Sequence, residues 1–140
     1  MKIFNHHAIL IEDNHKGIDY KIVLIDSGWF TCYLDISNTK LKFIDYNSIE
    51  LHVWWGLTYS DFKYPWEREK DENKWIIGWD YGHYNDALEV ALVKTVFDKT
   101  VTDKFLGTIN HTLPELTNDC IEAIDELLDR PTEELIYEIS

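Results

Sequence analysis

The sequence predicts an α+β fold: an antiparallel sheet of about five to six strands with a C-terminal amphipathic helix packed on it. Two observations predict this. Up to residue 80 the apolar residues alternate or run in short stretches broken by Gly, Asn and Asp, the pattern of strands and tight turns. From Leu113 they recur every three or four positions with acids between them, the pattern of a helix lying on a core. Length bounds the answer. The 140 residues are 45% hydrophobic and 14% aromatic, which fits a single domain over residues 1–140. A chain of this size buries roughly two-thirds of its unfolded surface and needs no disulfide to fold. The composition excludes disordered and collagen-like classes. No apolar run approaches the ~18 residues of a membrane span. The opening MKIFNHHAIL lacks the apolar centre of a secretory signal, so a cytoplasmic location is expected.

Each element follows in order. Ala8 to Glu12 and Asp19 to Asp26 make a hairpin around the polar turn Asp13–Gly17. Ser27-Gly28 turns the chain into a third strand from Trp29 to Ile36. Ser37-Asn38-Thr39 breaks it. Leu41 to Asp45 reads as a short strand, and Ile49 to Trp55 as a clearer one that Gly56 interrupts before Leu57 to Ser60. The charged stretch 61–73 is a loop, and Lys74 to Asp80 is the last strand. Asn85 and Asp86 can cap a short helix from Ala87 to Phe97, although the β-branched content of VKTVFDKTV also suits a strand or irregular segment. Thr112, with Pro114 in the first turn and Glu115 at the third position, opens the amphipathic helix. Leu116, Cys120, Ile124 and Leu127 form its buried stripe. Pro131 ends it, and Thr132 caps a final helix through Ile139.

Charge narrows the partners. Thirteen Lys and Arg face 26 Asp and Glu, a formal net charge of −13. Residues 115–140 hold nine of the acids and one base, Arg130. Duplex nucleic acid, which demands neutralised phosphates, is not an expected partner. The acidic segment is a solvated face, a mimic of nucleic-acid charge or a docking surface for a basic protein. Cys32 and Cys120 belong to no CxxC pair, so both read as small core residues.

Two segments carry chemistry. One is Trp54-Trp55-Gly56-Leu57-Thr58-Tyr59-Ser60. The other runs from Trp75 through Asp80, His83 and Asp86. A strand ending in Asp-x-x-His-x-x-Asp sends three ionisable groups into one loop, where a carboxylate can orient an imidazole. The same residues have ordinary uses: Asp80 closing a turn, Asp86 capping a helix, His83 bonding backbone. No second His stands at a metal-binding spacing, so neither metal nor cofactor is expected. No residue is assigned as catalytic. The adjacent Trp54 and Trp55 would point to opposite faces of a strand, so one must meet a second layer, a partner or a ligand.

These segments resemble a family of small, mostly uncharacterised phage and prophage proteins. Its members carry His-Gly-Gly-Leu-Thr-Tyr-Ser followed by Trp-x-x-Gly-Phe-Asp-x-x-His-x-x-Asp. Gly56 to Ser60 match the first motif. Trp75, Gly78, Asp80, His83 and Asp86 match the second, with Trp79 in place of Phe. Trp54 and Trp55 stand where the family has His and Gly, and His52 lies two residues earlier on the same strand face. The resemblance implies a phage accessory protein of the host cytosol, acting in counter-defence. The expected activity is binding and sequestering a small nucleotide-derived ligand, as a homo-oligomer. The ligand residues would be His52, Trp54, Tyr59, Ser60, Asp80, His83 and Asp86. Two alternatives are a hydrolase of such a ligand, using His83 with Asp80 or Asp86, and an acidic protein-interaction module.

Overall fold

The computed structural model describes residues 1–102 and 107–137. Six strands form one antiparallel sheet: β1 (Lys2–Phe4), β2 (His7–His15), β3 (Ile18–Ile25), β4 (Phe30–Asp35), β5 (Tyr59–Asp61) and β6 (Ile76–Asp80), in the order β1-β2-β3-β4-β6-β5. Three helices follow, α1 (Val90–Phe97), α2 (Leu113–Asp129) and α3 (Thr132–Leu135). The expected α+β architecture is therefore present, with α2 on the sheet. Among the described residues, no helix is long and apolar enough to cross a membrane.

The sheet buries both faces, each with its own core. Ile22 and Leu24 of β3, Cys32 and Leu34 of β4, and Ile77 and Trp79 of β6 share the α2 face with Leu116, Cys120, Ala123, Ile124 and Leu127. The alternate residues Val23, Tyr33 and Ile76 point the other way and meet Tyr64. Tyr64 and Trp66 come from the charged connection between β5 and β6, which folds back over this second face. A bulge between Ile9 and Ile11 preserves the pattern: Ile9 serves the second core while Leu10 and Ile11 both pack on the first. Gly78 explains itself here. A Cβ at that position would lie 2.6 Å from the Tyr33 ring and 2.8 Å from the Cys32 carbonyl. Only a glycine lets Tyr33 lie across β6.

Three expectations need correction. Leu41 to Asp45 and Ile49 to Trp55 are not strands; only a 3-10 turn, Tyr46–Ser48, is regular there. Leu41, Ile49 and Leu51 are buried as the apolar pattern requires. The place beside β6 belongs to β5, so residues 48–50 bond instead to the end of α3 and the residues just past it. Glu50 N donates to Leu135 O at 2.7 Å and Tyr137 N to Ser48 O at 2.9 Å. The middle helix begins at Val90, not at Ala87, because Glu89 is held out of helical conformation at φ −85° and ψ 64°, with its N–H on the Gly28 carbonyl. The last helix ends at Leu135; Ile139, its expected end, lies outside the described residues.

Helix α2 starts as its sequence dictates. Thr112 and Glu115 form a reciprocal capping box, with Pro114 in the first turn. Its acids are not merely solvated. Asp119 accepts from Tyr81, Asp125 pairs with His15 and Lys16, and Glu126 pairs with His52 and Arg130. Lys16, then His15, hold the Asp125 carboxyl below its usual range. Burial pushes Glu126 upward, but its bonds from the His52 backbone and ring outweigh this and leave it lowered.

Candidate functional site

The two motif segments meet at the end of β6, in two layers. The inner layer is built on Asp86. Its side chain and that of His111 are 1% and 2% exposed. Asp86 Oδ1 lies 2.8 Å from His111 Nε2, and Oδ2 accepts from Trp54 Nε1 at 3.1 Å and from the His83 backbone N–H at 3.0 Å. Three bonds satisfy a carboxylate that burial alone would penalise. Rings close the layer. Trp54 stacks on Tyr81 at 6.4 Å and meets His111 edge-on at 5.1 Å. Tyr81 accepts from Trp79 Nε1 at 3.0 Å and donates to Asp119 at 2.7 Å. Burial raises the Tyr81 hydroxyl well above its ordinary pKa, so it stays protonated and keeps that donor role.

The outer layer is open. Asp80 and His83 are 24% and 23% exposed. His83 Nε2 stands 3.1 Å from Asp80 Oδ1, an ion-pair distance, but out of line for a hydrogen bond. Asp80 is fixed from two sides: Gly82 N donates to Oδ1 at 3.0 Å and Thr58 Oγ1 to Oδ2 at 3.1 Å. Over His83 lies Trp55, parallel to within 11° and 4.9 Å away. Trp55 is 63% exposed and holds φ at +60°, a left-handed conformation that a bulky residue rarely adopts. Gly56 follows at φ +83° and completes the turn. Beside it a cleft of about 300 Å³ is lined by His52, Val53, Trp54, Trp55, Asp119 and Glu122.

The expected ligand residues thus divide. Asp80, His83, Asp86 and Trp54 gather where the motifs meet, but Asp86 is sealed in the inner layer, and Trp54 lines the cleft half-buried with its Nε1 spent on Asp86. His52 lines the cleft, yet its Nδ1 is held 2.7 Å from Glu126 and not by Asp80 or His83. Tyr59 faces the second core, edge-on to Tyr33 at 5.5 Å, with its hydroxyl on the Lys63 carbonyl. Ser60 donates to Asp45 at 2.6 Å. The β5–β6 register explains both: Tyr59 pairs with Gly78, so Thr58 rather than Ser60 reaches Asp80. His111 escaped the sequence reading because it lies 25 residues from Asp86 with no local pattern linking them. Asp119 escaped because its spacing on α2 reads as an ordinary polar face. Trp55 had a signal, the impossible pairing of two adjacent tryptophans on one core face.

Among the described residues, no cluster of three or more His, Cys, Asp or Glu is placed to hold a metal ion. No family model, curated protein or solved structure matches this chain.

Proposed function

We propose that the protein is a binding protein that holds a planar, nucleobase-like group against Trp55 and His83. One observation carries this reading: Trp55 is a large ring kept exposed, in a left-handed turn, parallel to His83. Burial does not reward that arrangement, and backbone strain of this kind clusters at ligand sites. The cleft beside it adds Asp119 and Glu122, so the group it suits presents N–H donors, such as an amino-bearing base edge. Carboxylates repel phosphates, so a nucleotide would direct its phosphates away from this cleft. The phage counter-defence setting and sequestration as a homo-oligomer rest on the motif resemblance and belong to the same proposal.

Guanosine and adenosine, titrated while following tryptophan emission or heat, test it. Trp55→Ala and His83→Ala should each lower affinity at least tenfold while leaving the fold intact. Wild-type protein that binds neither nucleoside at millimolar concentration would end this reading. A second reading, hydrolysis with His83 as base, is favoured by the Asp80 carboxylate beside its ring. Recovery of a nucleotide substrate unchanged after incubation retires it.

A further inference from the structure

A second cleft, of about 240 Å³, lies at the other end of the sheet on the face away from α2. It gathers cations in a strongly acidic chain. Lys2 of β1, Lys21 of β3 and Lys74, which precedes β6, all line it. Glu12 bonds Lys2 at 3.2 Å and Lys21 at 3.0 Å, and Glu67 stands 3.5 Å from Lys74. Three lysines thus share two carboxylates, leaving a local excess of one positive charge. Aromatic rings form the wall. Phe4, Trp66 and Tyr64 are layered in parallel, Phe4 to Trp66 at 6.3 Å and Trp66 to Tyr64 at 4.9 Å. Lys21 and Lys74 each stand about 5 Å from the Tyr64 ring. Phe4, at 41% exposed, keeps the outer end of this stack open to solvent.

Lysine ammonium groups are strongly hydrated point charges that take phosphate without a fixed geometry. Their carboxylate partners are single glutamates at the surface, which an incoming dianion can displace. A ring beside those lysines stacks on the exposed Phe4, because Phe4 and Tyr64 already lie against Trp66. The volume falls below the roughly 300–1,000 Å³ of drug-sized sites, which limits the occupant to one ring and one anionic group. We infer that this cleft binds a small aromatic phosphate monoester, with the phosphoryl group on Lys21, Lys2 and Lys74 and the ring on Phe4, the open end of the stack. It is separate from the Trp55 cleft and stands or falls without it.

Calorimetry at low salt with phenyl phosphate and with inorganic phosphate tests the inference. Phenyl phosphate should bind the wild-type protein more tightly than phosphate, and 200 mM salt should weaken both. The double variant Lys21→Gln with Lys74→Gln should lose at least tenfold in affinity for both. Phe4→Ala should erase the preference for the ringed ligand. Glu12→Gln is the decisive variant, because it removes the competing carboxylate: affinity should rise severalfold, even though the variant breaks two ion pairs. Trp55→Ala should change nothing here. No binding by the wild-type protein, unchanged binding by the double lysine variant, or weaker binding by Glu12→Gln would each overturn the inference.

Discussion

Two aspartate–histidine pairs lie side by side at the end of β6, and they do opposite things. Asp86 and His111 are sealed, with three bonds on the carboxylate and rings on several sides. Asp80 and His83 are a quarter exposed, imperfectly aligned and covered by one solvent-exposed ring, Trp55. The same two residue types therefore serve as a rivet in one place and as a candidate ligand surface in the other. Burial and the count of donors decide the role, and spacing in the sequence does not. The Asp-x-x-His-x-x-Asp motif contains both members of the open pair and only Asp86 of the sealed one.

The largest way to break this contrast is His111→Ala. It strips the Asp86 carboxylate of its closest partner inside the core, and such a loss costs about 3–5 kcal/mol. His83→Ala should cost less than about 1 kcal/mol, as a surface change does. Urea denaturation of both variants measures the difference, and equal costs would erase the distinction between the pairs. Trp54→Phe comes next. It keeps the ring against Tyr81 but removes one donor to Asp86. The expected loss is about 1–3 kcal/mol, read by the same denaturation.

The smallest effect sharpens the boundary between the layers. Burial, with Glu115 and Glu122 nearby, raises the Asp119 carboxyl above its usual 3.8 despite the bond from Tyr81. A carboxyl raised in the folded state binds its proton more tightly there than in the unfolded chain. Its stabilising contribution is full below the unfolded value and is lost as pH rises through the folded one. Asp119→Asn should therefore raise the melting temperature slightly at pH 7. That gain should shrink as pH falls and vanish below about 3.8, where the wild-type group is neutral in both states. Thermal scans from pH 3 to pH 7 check the sign.

The sheet and α2 were legible because their apolar periods are plain. Leu116, Cys120, Ile124 and Leu127 are buried at the spacing that marks them. Residues 41–55 were not, because a strand-like composition says only that side chains want burial. Whether the backbone pairs depends on which neighbour is vacant, and here β5 had filled the sheet edge while residues 135–137 offered another partner. The site was half legible. Asp80 and His83 stand together, but the motif's Gly78 serves the Tyr33 ring, Trp75 donates to the Ile44 carbonyl, and Asp86 is structural. A motif on a strand mixes both faces of the sheet, and only the register with β5 separates them.

Cys32 on β4 and Cys120 on α2 are both fully buried and free, on the two sides of the sheet–helix boundary. Burial, and contact with the Cys120 thiol, push Cys32 well above its ordinary pKa. In the closed protein that thiol is inert, since only the thiolate reacts. Alkylation must wait until α2 lifts away. The pair is thus a built-in stopwatch: the pace at which an alkylating reagent consumes the two sulfurs reports how often helix and sheet part, without any label being added to the chain.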